Sequence, residues 1–179
     1  ALLQMFNIDI SQWGIGSTKT VDNLYTEIES GESCLRIGSH GIARVVEVVK
    51  MFITDPLCEN RGKLLEWGQY LPDGRYRERK QVPAGKIAQG ESPHQALLRE
   101  AAEELHIQES DIRLLQPLSV TLETGESRSY PNLKTIYTIY GFNLLMEPTA
   151  EVCRNDEFEI KEENGTRQIF RWENVPLKV

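Results

Sequence analysis

Cysteine is scarce in this chain. Cys34, Cys58 and Cys153 are odd in number, far apart and in no CxxC pair. Neither a disulfide framework nor a cysteine-rich zinc site is expected, and a reducing compartment is. Long apolar runs are also lacking. Stretches such as Val45–Val49 are broken by charge well short of the ~20 residues of a membrane span. No segment resembles a secretory signal, and a removed targeting peptide is left open. An intracellular, cytoplasmic location without membrane attachment is the expectation, organelle import being left open. Positive charge is in deficit, with 20 Lys and Arg against 27 Asp and Glu and a net charge of −7. Nonspecific nucleic-acid binding needs a basic face, so no nucleic-acid partner is expected. Internal repeats and low-complexity tracts are absent. What is present is 179 residues, 40% hydrophobic and 26% charged, enough for one ordinary globular core.

The first forty residues read differently from the rest. Leu2, Leu3, Met5 and Phe6 cluster without strand alternation, and Gly14 and Gly16 mark a loop. Thr20 is placed to cap a helix through Ser30, with Val21, Leu24, Tyr25 and Ile28 on one face and Gly31 as its stop. Residues 1–41 therefore read as a short, mostly helical N-terminal extension, and 42–179 as the main domain. Ala43–Ile53 is rich in β-branched residues and predicts a long strand. Lys63–Leu71 predicts a second, and the turn at Pro72, Asp73 and Gly74 returns it as Arg75–Val82. Ile112–Glu123, Leu133–Leu145, Phe158–Ile160 and Arg167–Trp172 are further strand candidates, with Asn164 and Gly165 as a hairpin turn. The class is α+β: a mixed, largely antiparallel sheet with one strong central helix.

That helix opens at Ser92 and Pro93, with Gln95 placed to close a capping box. At the helical period, Leu97, Leu98, Ala101 and Leu105 gather on one side, and Glu100, Glu103 and Glu104 on another. Taken alone, three such glutamates describe a solvated acidic face. Like charges there cost a few tenths of a kcal/mol per pair, roughly. A hard divalent cation reverses that sign, because it takes several oxygen ligands.

Spacing turns the face into a site. Gly85 stands six residues before Glu91; Arg99 and Glu100 follow after seven more, then Glu103, Glu104, His106 and Ile107. This resembles the Nudix signature: Gly, five residues, Glu, seven residues, Arg-Glu, an apolar residue, any residue, Glu-Glu, any residue, Gly, an apolar residue. Chance would place the six polar or glycine matches at a frequency on the order of 10⁻⁷ per window. One position departs, since His106 stands where the family has glycine. Glycine past a helix end supplies a left-handed residue, and histidine reaches that conformation at a cost. A slightly strained helix exit is expected, and a metal-ligand role for His106 is the less favoured alternative. The extension also resembles uncharacterised plant and algal Nudix proteins around Trp13 and Gly14 and at Lys19, Thr20 and Val21.

The resemblance implies a Nudix-type mixed sheet sandwiched by helices. It implies a diphosphohydrolase that uses Mg²⁺ or Mn²⁺ to cleave a diphosphate linkage in a small phosphorylated substrate, a nucleoside diphosphate derivative. Glu100 and Glu104 would be principal metal ligands, with Glu103 a ligand or an activator of the water. Gly85 would let a backbone carbonyl reach the metal, and Glu91 and Arg99 would brace the loop against the helix. A further acid often serves as general base, and Glu147, Glu151, Glu157 and Glu159 stay open for that role. Arg75, Arg77 and Arg79 alternate along a predicted strand and are candidates to hold substrate phosphates, with Lys80 or Lys86 assisting. Trp13, Trp67, Tyr70 or Tyr130 would be available to stack a base, though each reads more simply as core or rim. The alternative function is an inactive Nudix-fold module that binds a nucleotide or a protein. RNA decapping is disfavoured by the acidic charge. The oligomeric state, a homodimer included, is left open.

Overall fold

The computed structural model describes residues 2–57, 61–163 and 165–174. Two compact units divide the chain. The first takes the segment up to Val48, Lys86–Pro93 and Val120–Tyr140; the second takes Val49–Gly85, His94–Ser119 and the segment from Gly141 onward. In chain order the elements are α1 (Leu2–Met5), α2 (Val21–Glu29), β1 (Cys34–Gly38), β2 (Gly41–Thr54), β3 (Arg61–Tyr70), β4 (Tyr76–Gln81) and β5 (Ala84–Lys86). There follow α3 (Pro93–Leu105), β6 (Ile112–Glu126), β7 (Lys134–Met146), β8 (Glu157–Lys161) and β9 (Arg167–Asn174). The α+β class holds, and the strands are shared between two sheets. One has the order β1-β2-β7-β6 with β5 beside β2; the other has the order β4-β3-β9-β8. Among the described residues, no helix is long and apolar enough to cross a membrane.

In the first unit, α2 begins as its sequence demands. The Thr20 side chain accepts from Asn23 N–H, and the Asn23 side chain answers to the Thr20 backbone, a reciprocal cap. Gly31 ends the element at φ +75°, which a side chain would resist. The buried face is not the expected one. Leu24 and Glu27 are inside, whereas Val21 and Tyr25 are exposed. Leu24 joins Trp13, Ile42, Tyr130 and Leu133 in a small core. The Trp13 indole donates to Pro131 O at 2.9 Å and its ring lies 5.0 Å from that of Tyr130. Strand β1, an addition to the expected helical extension, pairs antiparallel with β2 through the Gly38–Gly41 hairpin.

Glu27 is buried because three cations meet it. Lys19 Nζ and Arg44 Nη2 lie 2.6 Å from its carboxylate and Lys86 Nζ lies 2.8 Å away. The Tyr130 hydroxyl donates to it at 3.1 Å. Burial alone would raise its pKa, but the hydrogen bonds from Lys19 and Lys86 and their charges win, and it falls from 4.5 to about 2. This hub ties the extension to β2 and to the first residue after Gly85.

The second unit holds the sheet β4-β3-β9-β8, whose neighbours are all antiparallel. The β3–β4 hairpin closes on Leu71 N–H to Arg75 O at 2.8 Å, with Gly74 at φ +85°. Register shifts between Glu66 and Gly68 against both neighbours of β3. Such an irregularity re-aims side chains. Of the expected hairpin turn at 164–165, Gly165 has φ +89° and Asn164 lies outside the described residues. Helix α3 buries Ala96, Leu97, Glu100, Ala101 and Leu105, while Leu98 is only partly buried. Its seam is therefore turned slightly from the expected one, toward Ala96 and Glu100.

Candidate active site

Gly85 and Glu100 explain each other. Gly85 is buried on β5, and a Cβ there would land on the Glu100 carboxyl carbon. Only glycine leaves that space, so the carboxylate rests against bare backbone. Arg99 then holds two of the three helix glutamates. Its Nη1 lies 2.9 Å from Glu100 Oε1 and 3.1 Å from Glu103 Oε2. Glu100 is 8% exposed, whereas Glu103 is open to solvent.

Glu104 is strongly perturbed. Its carboxyl is pushed up from 4.5 to about 8, first by burial, then by the charges of Glu100, Glu66 and Glu162, with Arg79 pulling the other way. Glu66 comes from β3 and is buried; it accepts from Gln69 Nε2 at 2.6 Å and from Arg79 Nε at 3.3 Å. Glu162 follows β8 and accepts from the Gln168 amide, while its own N–H donates to Thr166 O at 2.8 Å. Three carboxylates thus act on Glu104, and Arg79 opposes them. Among the described residues, no three His, Cys, Asp or Glu side chains converge as a ready-made metal cage. The donor set still fits a hard divalent cation: oxygen donors, excess negative charge and a glycine cradle beside one of them.

The sequence reading missed Glu66 and Glu162. Glu66 had a signal, a charge two residues after the buried Leu64 where strand alternation calls for an apolar residue. Glu162 had none, since strand pairing places it.

The other candidates divide. Arg77 and Arg79 share one half-buried face of β4, but Arg75 precedes the strand and pairs with Asp73 at 2.7 Å in the turn. Lys80 has φ +46°, pairs with Glu78 at 2.6 Å and lies over the Trp67 ring. In the first unit, Lys86 is engaged by Glu27 and Glu32, each at 2.8 Å. Glu91 Oε2 accepts from Ala88 N–H at 3.1 Å and so braces its own loop. Trp13 and Tyr130 are core, whereas Arg171 lies over Trp67 and Arg167 over Tyr70. Of the later acids, Glu157 pairs with Arg171 and Glu159 with Arg167, and Glu151 is exposed. His106 is exposed at φ +54°, in the left-handed region expected of the missing glycine. Ile107 N–H closes the helix exit on Ala101 O at 3.0 Å.

The chain matches the NUDIX domain family over residues 56–175, two thirds of its length. No curated protein sequence matches it. Among solved structures it is similar to an Ap4A hydrolase binary complex from C. elegans, at 18% identity over 72% of this chain and 80% of that one, with a TM-score of 0.44. It is also similar to a MutT protein from Bacillus halodurans, at 14% identity over 72% of this chain and 68% of that one, with a TM-score of 0.38. At those scores the likenesses add nothing to the family match. With every box carboxylate inside the matched span, the chain belongs to the NUDIX domain family, which supports its reading as a Nudix-type pyrophosphatase.

Proposed function

We propose that this protein is a divalent-metal-dependent hydrolase that cleaves a diphosphate linkage in a nucleoside diphosphate derivative. The observation that carries the reading is the glycine cradle at Gly85, which seats the Glu100 carboxylate against bare backbone, with Arg99 holding Glu100 and Glu103 together and Glu104 beside Glu100 in charge contact. Such a group asks for a cation. Glu100 and Glu104, with the Gly85 carbonyl, would hold Mg²⁺ or Mn²⁺, and Glu103 would join them or orient the attacking water. Bound there, the metal would polarise phosphoryl oxygens and lower the pKa of its water. Arg99 steadies Glu100 and Glu103, and Glu91 fixes the loop that leads into α3. Of the basic candidates, Arg77 and Arg79 are the proposed phosphate partners, because they share the half-buried face of β4 and Arg79 acts on Glu104. Glu162 is preferred to Glu147, Glu151, Glu157 and Glu159 as the acid from outside the box, because its charge is among the largest acting on Glu104, while Glu157 and Glu159 are paired with Arg171 and Arg167.

The test is a panel of ADP-ribose, nucleotide sugars, diadenosine polyphosphates, coenzyme A and oxidised nucleotides, with and without Mg²⁺. Phosphate-containing product should form only with metal. Glu103→Gln should lower the rate by about 10²–10⁴-fold, the usual worth of positioned proton transfer. The left-handed His106 favours a second reading, a module that binds without turnover. Ligand binding with no product from any member of the panel would select it.

A further inference from the structure

Strand β6 ends the sheet order β1-β2-β7-β6, so one of its edges has no strand beside it among the described residues. It runs from Ile112 to Glu126, and all of it but Ile112 and Leu115 is exposed. Side chains alternate across a strand. One face carries Leu114, Leu118, Val120 and Leu122, and the other carries Arg113 and Glu123. Such alternation describes a strand with one buried face. Among the described residues that face stays open: Leu114 is 47% exposed, Leu118 53%, Val120 66% and Leu122 71%. Pro117 suits an edge position, since it has no N–H to give a neighbour. A long, exposed, apolar edge is a template for a further strand.

The strand is complementary to itself. In a second copy turned antiparallel about an axis at Leu118, Leu118 meets Leu118. Leu114 meets Leu122 and Arg113 meets Glu123, each twice over by symmetry. Cross-strand pairs of these kinds stabilise a sheet. Sliding the copies by two residues sets Glu123 against Asp111 or against Leu115. A one-residue slip turns the apolar face of one copy to the polar face of the other. The paired stretch is about 40 Å long and about 10 Å deep, so two edges bring together roughly 800 Å² before the protruding leucines are added. A specific interface needs about 1,000 Å².

We propose that β6 is a self-association surface, through which two copies of this chain pair edge to edge in antiparallel register about Leu118. The pairing uses up the open edge of each copy and closes at two. The exposed contacts of Arg113 with Glu123 set the register more than the affinity. The full chain is followed by sedimentation equilibrium over micromolar to millimolar concentrations. A species of twice the chain mass of 20.5 kDa should appear. Leu118→Lys sets like charges opposite each other at the axis and should weaken the dimer about tenfold or more. Arg113→Glu and Glu123→Arg should each weaken it, and the two together should restore it. All three positions are exposed, so the melting curves of the dilute variants should match wild type. On mild oxidation Leu118→Cys should link to its own copy, because directly opposed residues lie within disulfide reach. Thr124→Cys, far from its own copy in this register, should not. A monomer at every concentration, assembly beyond two copies, or a dimer indifferent to Leu118→Lys would overturn the proposal. So would a double charge reversal that leaves the dimer as weak as either single one.

Discussion

Gly85 is defined by what it leaves out. A methyl group there would occupy the place of the Glu100 carboxyl. Gly85→Ala should therefore displace Glu100, cost about 1–3 kcal/mol as an overpacked site does, and lower kcat by more than its effect on folding explains. Thermal melting and steady-state rates measured on the same sample check this. Glu27 shows the opposite case, a charge that belongs inside. Its pKa is depressed, so its contribution to stability is full above the unfolded value of 4.5 and is lost as pH falls through about 2. Glu27→Gln would leave Arg44 buried without its counter-charge, a loss of about 3–5 kcal/mol at pH 7. Urea denaturation of wild type and variant should show that gap narrowing between pH 4.5 and 2.

At the scale of elements, the long strands were readable because β-branched runs and turn residues bracket them. Strands β1 and β5 were not. Ala84, Gly85 and Lys86 carry neither branched nor aromatic side chains, and β1 exists through its pairing with β2. The exit of α3 was readable in its strain. His106 does adopt the left-handed conformation that its family fills with glycine. That conformation costs an L-residue about 1–2 kcal/mol, while glycine adds roughly 0.5–1 kcal/mol of chain entropy. His106→Gly should thus stabilise the protein by up to about 1 kcal/mol, a rise of about 2–4 °C in melting temperature for a chain of this size. An unchanged or lower melting temperature would mean that the histidine side chain has contacts that offset the strain. The buried face of α2 misled because helical periodicity ranks Glu27 as polar. Its three cations come from Lys19, Arg44 and Lys86, which no local pattern connects to it.

For the whole molecule, the spacing from Gly85 to Ile107 made the chemistry legible and the pairing of strands completed it. Glu66 reaches the site through the irregular stretch of β3, and Glu162 through the β8–β9 hairpin. Neither lies near the box in sequence, so spacing alone could not enlist them. The central claim is that these carboxylates, with Glu104 among them, form a metal-dependent diphosphate-cleaving centre. It is tested most directly by the rate of diphosphate cleavage at saturating Mg²⁺ in wild type and in Glu104→Gln, on the best substrate of the panel. A fall of about 10²-fold or more, with the variant still folded, is the predicted result. An unchanged rate in Glu104→Gln, or a wild-type rate indifferent to Mg²⁺, would contradict it.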